Sequence, residues 1–490
     1  MRGKYLWFNI FAFILIVLIA LPALPEVAQP PVDCTQLMAW MAGGVTNPRL
    51  IRLLQQRGMA FPADTGAVEN LRAAGASADL MRSFAAARVV TSQTGPDCPA
   101  RLTQVSRLIQ QKEYDAAENL LQRMLSHAPD NAALHFALGH LYLQEGDLDQ
   151  AFDEFSTSRD QMPGLPDVHT RLAYVFYRYE DGDNAIAEAR TAASMDPENP
   201  EAYRDLGLGL FLNQKFAAAL HAFDESLLRE PDNSETYMDI GMTREAMGDH
   251  AGAISAYRKA SALDPHAWEP HSKLGDILRD MGKPVSALAE FQLAKRLAPD
   301  ELSLRNQLAK ALLETGDYDA AIAELRELFH VSPSWQKGHD TLARALLAKH
   351  DYQSAIAELK LAILHNPTAG NTHEELGRTL LLMGQEQQAL RELRIAVSLD
   401  PDSSSVHHEL ATALLAAQKF AAASREFHEA LRLDPTAHNH YDLAACLIRM
   451  GQYREAIEEL DAALRIEPEQ ALYRARREAV RKLRDAGSAR

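Results

Sequence analysis

The sequence predicts an all-α protein, a right-handed α-solenoid of about eleven helix pairs that follows an N-terminal apolar helix and a small helical segment. Three observations support this fold class. Prolines recur at a fixed interval of 34 residues, and a period of this size is typical of solenoids. Alanine and other small residues recur at fixed places in each period, where two helices would approach closely. The chain of 490 residues is also too long for one ordinary hydrophobic core.

The prolines set the frame of the repeat. Ten of them, from Pro129 to Pro435, lie 34 residues apart, and Pro468 follows after 33, so that one residue is missing near residues 436–439. We number each repeat so that its proline is position 32, which places eleven repeats within residues 98–470. The proline ends the second helix of each repeat because it cannot continue a helix. Before the repeats lie residues 1–30 and 31–97, and after them residues 471–490, which predict a basic capping helix.

Four further positions of the repeat carry a packing pattern. Position 20 is alanine in all eleven repeats, and position 8 is only valine, glycine or alanine. Position 7 is leucine or isoleucine in nearly every repeat, and position 24 is large and apolar in most. Position 15 is glycine in six repeats, where it favours a left-handed helix end. We therefore expect a helix, a turn and a second helix in each repeat, with the small residues at the helix contact.

One repeat matches a known motif closely. The residues in question are His135, Leu138, Gly139, Tyr142, Ala151, Phe155 and Pro163. They resemble the tetratricopeptide repeat, W-x2-L-G-x2-Y…A-x3-F…P, at every position but the first, where histidine replaces tryptophan. The resemblance covers about residues 98–470. It implies a stack of helix pairs that binds other proteins or peptides in a concave groove and catalyses no reaction.

The amino terminus has the features of a membrane segment. Residues 5–24 are apolar except for Asn9, and Arg2 and Lys4 precede them. Such a stretch fits a spanning helix of roughly 17–25 residues better than a signal h-region of about 7–15. We predict a single-pass inner-membrane anchor with the body in the periplasm. The alternative is a signal peptide whose cleavage leaves the body periplasmic or secreted; in both cases the positive-inside rule places the body outside the cytoplasm.

The segment before the repeats does not follow their period. Glycines and Pro62 divide it into four predicted helices. These helices are Thr35–Met41, Pro48–Arg57, Thr65–Ala74 and Ala78–Ala87. The segment is either an independent module or a cap on the first repeat. Cys34 and Cys98 flank it, and in an exported chain they could form a disulfide. Cys446 lies within a repeat helix, where we expect a small buried apolar residue.

Charge and motifs exclude several classes of function. The formal net charge of −17 argues against binding to nucleic acid, which depends on Lys and Arg. No phosphate-binding loop, nucleophile elbow or zinc-protease helix is present, so we predict no enzyme activity and no cofactor. Six histidines occupy position 4 and are predicted to pack between the helices of a repeat rather than to bind metal. His438 and His440 are predicted to form an exposed, uncoordinated pair in a short loop.

The candidate binding groove is lined by positions 2, 5, 9 and 12 of the first helices. Its apolar members in the amino-terminal half are Phe136, Tyr174, Tyr177, Leu208, Phe211, Met238 and Met242. Arg204 lies among them and could fix an acidic group of a partner. Aromatic and methionine side chains on a polar face suggest a peptide groove, although they could instead support neighbouring helices.

The other half of the groove carries basic residues at position 9. Lys310 is followed in successive repeats by Arg344 and Arg378, which resembles a ladder for carboxylates. Asp340 and Glu374 precede the two arginines by four residues, however, and salt bridges on the helix surface explain this spacing better.

Together these features predict a non-catalytic protein-interaction scaffold that is tethered to the membrane through residues 5–24. The alternative is an accessory or assembly subunit of an envelope enzyme or transport machine that handles polysaccharide or outer-membrane proteins. The sequence does not choose between them.

Overall fold

The structure is a computed structural model that describes residues 31–90 and 100–488. These residues form 27 α-helices and no strand, with only isolated backbone bridges at Val32, Met59 and Val89. The prediction of an all-α fold is therefore confirmed for the described residues. They form two compact bodies, divided between Asp249 and His250, which we call the amino-terminal and carboxy-terminal bodies.

The amino-terminal body begins with the segment that precedes the repeats. Its helices are α1 (Cys34–Ala42), α2 (Asn47–Arg57), α3 (Thr65–Ala73) and α4 (Ala78–Ala86). Each end differs from its predicted position by at most one residue. Asp33, Asp64 and Ser77 cap three of these helices with side chains that accept hydrogen bonds from backbone N–H groups.

The repeats supply the remaining helices. In the amino-terminal body these are α5 (Ala100–Gln110), α6 (Tyr114–Leu125), α7 (Ala132–Glu145), α8 (Leu148–Gln161), α9 (Pro166–Arg178), α10 (Gly182–Met195), α11 (Pro200–Leu212), α12 (Phe216–Arg229) and α13 (Ser234–Ala246). In the carboxy-terminal body they are α14 (His250–Leu263), α15 (Glu269–Asp280), α16 (Pro284–Leu297), α17 (Leu302–Thr315), α18 (Tyr318–Val331), α19 (His339–Ala348), α20 (Tyr352–His365), α21 (Gly370–Leu382), α22 (Glu386–Leu399), α23 (Ser404–Ala416), α24 (Phe420–Leu433), α25 (Ala437–Arg449) and α26 (Tyr453–Ile466). The basic helix α27 (Ala471–Ser488) follows the last repeat.

The two helices of a repeat interlock through the small and large positions that the sequence indicated. All eleven alanines at position 20 are completely buried. In the sixth repeat, a Cβ atom added at Gly275 would lie 2.6 Å from the ring of Phe291, which is itself fully buried. Position 8 is therefore small because the aromatic residue at position 24 occupies the space beside it.

A substitution at position 20 tests this packing. We expect Ala287→Leu to lower the free energy of unfolding by roughly 1–3 kcal/mol, because added methylenes in a filled core force neighbouring side chains apart. Ala289→Leu, two residues further along the same helix at an exposed position, is the matched control and should change stability little. Urea denaturation followed by circular dichroism measures both, and equal midpoints for the two variants would contradict the packing at position 20.

The turn inside each repeat uses a left-handed residue at position 15. The six predicted glycines all have positive φ. The other five repeats place Lys112, Glu180, Gln214, His350 and Gln418 at the same position, with φ of 56–62°. This conformation costs a residue with a Cβ atom more than it costs glycine. The geometry of the helix pair therefore imposes the turn even where the sequence lacks glycine.

The segment before the repeats shares a hydrophobic core with them. Trp40 and Phe84 from this segment belong to the same buried cluster as Phe136 and Phe155 from the second repeat. Helix α1 packs against α5 and α7. The segment is therefore a cap joined to the repeats and not an independent module.

The predicted membrane segment, residues 5–24, lies outside the described residues. Among the helices that the structure describes, none is long and apolar enough to cross a membrane.

Candidate functional site

Three first helices of successive repeats bring most of the predicted groove residues together. Helix α11 contacts both α9 and α13. The half-buried side chains are Tyr174 and Tyr177 on α9, Phe211 on α11, and Met238 and Met242 on α13. We call these five residues the aromatic surface. The rings of Tyr174 and Tyr177 lie 6.0 Å apart, so they act as one apolar platform.

Two predicted members of the groove are buried instead. Phe136 has no exposed surface: its ring lies 5.6 Å from that of Phe155 and also contacts Gly43, where an added Cβ atom would lie 2.5 Å from the Phe136 ring. The prediction that Phe136 binds a partner is therefore wrong, because α1 covers this part of α7. Leu208 on α11 is also buried and offers no exposed surface to a partner.

A buried arginine fixes the cap to the repeats. Arg49 on α2 is 4% exposed, and its guanidinium group pairs with Asp167 on α9 at 3.2 Å and with Asp196 at the end of α10. Burial alone would lower the pKa of Arg49, but the two carboxylates raise it. Arg171 adds a second link by donating a hydrogen bond to the carbonyl of Gly44 at 2.9 Å. The cap therefore covers the first helices as far as the start of α9.

Arg204 is not free to bind a partner's acidic group. Its guanidinium group pairs with Asp239 at 2.6 Å and also with Glu235, both on α13. In repeat numbering, position 5 of one repeat reaches positions 2 and 6 of the next. We call such a set of three positions a junction. The predicted role of Arg204 is corrected accordingly, because this junction already neutralises its charge.

The preceding junction has no cation at position 5, although Arg171, at position 6, pairs with its Glu201 at 3.7 Å. Its residues are Thr170, Glu201 and Asp205, and Asp205 is 7% exposed. Among the residues that the structure describes, Asp205 has no ion-pair or hydrogen-bond partner for its side chain. Burial raises the pKa of Asp205 to about 8, although Arg204 and Arg171 act in the opposite direction.

This acidic side chain lies close to the aromatic surface. Arg204 and Asp239 are within electrostatic range of Asp205 and also of the Tyr177 hydroxyl group. The sequence could not single out Asp205, since the missing counterion becomes visible only when the register between repeats is known.

The basic half of the predicted groove belongs to the carboxy-terminal body. Lys310 is half-buried on α17. Arg378 forms a salt bridge at 3.5 Å with Glu375 and not with the predicted Glu374, which instead accepts a hydrogen bond from Ser405 at 2.5 Å. Glu374 is thus used in a contact between repeats, so the spacing of four residues indicated the wrong partner.

The histidines at position 4 do pack between helices, but they are also paired. In seven repeats Nδ1 of the histidine lies 2.5–2.8 Å from a glutamate nineteen residues later, on the second helix of the same repeat. His440 belongs to this set and His438 lies on the same helix, so the predicted loop for these two residues is wrong. The residue missing before the last repeat shortens the connection, and α25 begins at Ala437 with a cap from Thr436.

The cysteines are placed only in part. Cys34 is buried and forms a disulfide, whereas Cys98 lies outside the described residues, so that their pairing stays a prediction. Cys446 is buried and free, as a small apolar residue of a repeat helix would be.

Comparison with solved structures finds distant matches. A chain of the APC/C hetero-tetramer Cut9–Hcn1 is 17% identical, with 75% of this chain and 73% of that chain covered and a TM-score of 0.47. Yeast Tom70 is 15% identical over 78% and 95% of the two chains, with a TM-score of 0.35. Pseudomonas aeruginosa pilF is 20% identical over 46% and 96%, with a TM-score of 0.37. No curated protein sequence matches the chain.

Family models give a firmer result. Three models of the tetratricopeptide repeat match residues 108–173 and 414–478, residues 170–236 and 238–301, and residues 302–334. Together these segments cover more than half of the chain, and they overlap the helix pairs described above. The protein belongs to the tetratricopeptide repeat family.

Proposed function

We propose that this protein is a protein-binding scaffold whose aromatic surface binds a partner segment carrying an apolar or aromatic side chain next to a lysine or arginine. The observation that carries the proposal is Asp205, a nearly buried carboxylate without a partner in the described part of the chain. Such a group lowers stability unless something pairs with it. A cation supplied by a bound segment would do so.

The apolar part of the partner follows from the surface beside Asp205. Tyr174, Tyr177 and Phe211 combine large area with few rotatable bonds, and aromatic residues are over-represented where interfaces derive most of their energy. Methionines at the far side, Met238 and Met242, have flexible side chains that adapt to different shapes. The surface therefore suits an extended or helical segment with one or two bulky side chains.

The charge of the partner follows from the junctions. Arg204 is occupied by Glu235 and Asp239, so a second acidic group would meet carboxylates without an available cation. A basic side chain would meet Asp205 instead, whereas Arg171 already pairs with Glu201 at 3.7 Å. Binding of a lysine would favour the ionised form of Asp205, so we expect affinity to increase as the pH rises towards about 8, where Asp205 ionises in the free protein.

Paired peptide arrays test this function. One array presents peptides that contain tryptophan or phenylalanine next to lysine, and the other presents the same peptides with glutamate in place of lysine. We expect binding only to the basic set, and a loss of about tenfold or more for Tyr177→Ala with Phe211→Ala, since each 1.4 kcal/mol is tenfold. Asp205→Asn should weaken the same peptides and remove the dependence on pH.

The control for this experiment is Tyr179→Ala, which should leave peptide affinity unchanged. Tyr179 lies two residues after Tyr177, but its hydroxyl group donates to Asp149 at 2.6 Å and its ring faces Phe152 on the second repeat. The variant with both Tyr177→Ala and Phe211→Ala should also have the same unfolding midpoint as the unmodified chain. A lower midpoint together with normal affinity would mean that the aromatic surface only supports neighbouring helices.

The location of the scaffold is part of the proposal. The apolar residues 5–24 with the basic residues before them support a membrane tether with the body outside the cytoplasm, and a disulfide at Cys34 is typical of an oxidising compartment. Fractionation of cells that express the chain with and without residues 5–24 tests the tether. Recovery of the full chain in the soluble fraction would contradict it.

A further inference from the structure

Two histidines and an aspartate converge at the junction between the tenth and eleventh repeats. His408 lies on α23, and His438 and Asp442 lie one turn apart on α25. The Nε2 atoms of His408 and His438 are 2.8 and 3.2 Å from the same oxygen, Oδ2 of Asp442. The three ligand atoms lie within 4.8 Å of one another, and this is the one such group of His, Cys, Asp or Glu side chains in the described part of the chain.

The junction at Arg204 shows what is unusual about this arrangement. There, one cation at position 5 meets carboxylates at positions 2 and 6, so the charges complement each other. At the later junction the same positions hold His408, His438 and Asp442, which means that two imidazoles share one carboxylate oxygen. Without an ion, both rings must carry their hydrogen on Nε2 to donate to that oxygen.

The donor set is that of a metal site. Two imidazole nitrogens with one carboxylate oxygen are common ligands of divalent transition metals, and zinc sites with three protein ligands keep a further position open for water or another ligand. In a tetrahedral zinc site with bonds of about 2.0–2.1 Å, ligand atoms lie about 3.3 Å apart. The distances from His408 and His438 to Asp442, 2.8 and 3.2 Å, are close to this value, so small rotations of the two rings would bring these ligand atoms into place.

We propose that His408, His438 and Asp442 bind a divalent transition-metal ion such as Zn²⁺, which clasps the tenth repeat to the eleventh. The desolvation cost of binding the ion is small, because His408 and Asp442 are already half-buried and His438, which is 67% exposed, can stay in contact with water. The side chain of Glu409 is close enough to interact electrostatically with both imidazoles. The paired histidines at position 4 offer no comparable site, because each of them meets a single glutamate.

Titration of the full chain with Zn²⁺ tests the site. The chain is purified in mild detergent, freed of metal with a chelator and titrated in a calorimeter near pH 7.5, because metal binding competes with protons for the ligand atoms. We expect one tightly bound Zn²⁺ per chain and a higher unfolding temperature when it is present. His408→Ala, His438→Ala and Asp442→Asn should each weaken binding by at least about tenfold, the lower end of the loss seen for an outer-shell partner.

The control is His428→Ala, on the helix between α23 and α25. His428 is exposed and its Nδ1 atom lies 2.6 Å from the carbonyl oxygen of Ser424 in its own helix, so its removal should leave the affinity unchanged. Circular dichroism checks that each variant remains helical. The absence of Zn²⁺ binding, or tight binding that persists in the variant lacking both His408 and His438, would overturn the proposal.

Discussion

Replacing Arg49 with alanine should lower the free energy of unfolding of the amino-terminal body by about 3–5 kcal/mol, because two buried carboxylates would lose their counterion. Asp167 and Asp196 are both less than a tenth exposed and depend on this guanidinium group. The cap should loosen at the same time, since Arg49 is the charged link between α2 and α9. Urea denaturation measures the loss, and hydrogen exchange in α1 and α2 locates it.

Arg82→Ala is the control for this experiment. Arg82 belongs to the same cap and also pairs with an aspartate, Asp79, but its side chain is 74% exposed. An exposed pair is worth about 1 kcal/mol or less. If the two variants lost equal stability, the buried pair would not hold the cap.

A rescue separates charge from packing. Adding Asp167→Asn and Asp196→Asn to Arg49→Met removes all three charges while preserving most of the volume, and buried ion pairs can often be replaced in this way at little cost. We expect most of the lost stability to return. Failure to recover would mean that shape, and not the unpaired carboxylates, determines the effect.

The sequence predicts the helices well because their signals are local. A proline at position 32, a small residue at position 8 and an alanine at position 20 determine where helices end and touch. In the cap, glycines and Pro62 predicted the ends of the four helices to within one residue. The loop predicted around His438 was wrong for a related reason. The sequence shows that one residue is missing near residues 436–439, but it does not show whether the helix or the connection before it is shortened.

The candidate site depends on contacts between distant residues, and here the sequence was less informative. Arg49 and Asp167 are 118 residues apart, and nothing in the spacing of either residue indicates the other. The burial of Phe136 likewise depends on a contact with a residue distant in sequence, Gly43. The residues on α9, α11 and α13 were predictable because the repeat register alone places positions 9 and 12 on one face.

Asp205→Asn should make the chain more stable at neutral and alkaline pH, which is unusual for a substitution at a nearly buried position. Burial raises the pKa of Asp205 to about 8 in the folded chain, above the value of about 4 expected when the chain is unfolded. Folding therefore favours the protonated form. The stability that this proton provides is fully present below about pH 4 and is lost, at about 1.4 kcal/mol per pH unit, as the pH rises to about 8.

The measurement is the free energy of unfolding of both chains between pH 4 and pH 9. Asparagine resembles the protonated aspartate, so the two curves should meet near pH 4 and diverge as the pH rises, with the variant more stable by several kcal/mol at pH 8. Arg204, Arg171, Glu201 and Asp239, which also face Asp205, are common to both chains, and their titration largely cancels in the difference.

The sign of this difference decides what Asp205 is for. If its carboxylate served the fold by pairing with Arg204 or Arg171, asparagine would remove that pair and the variant would be the less stable chain above pH 4. A more stable variant would mean that the carboxylate of Asp205 lowers the stability of the folded scaffold. Combined with weaker binding of basic peptides, that result would assign the carboxylate to recognition of a cationic partner.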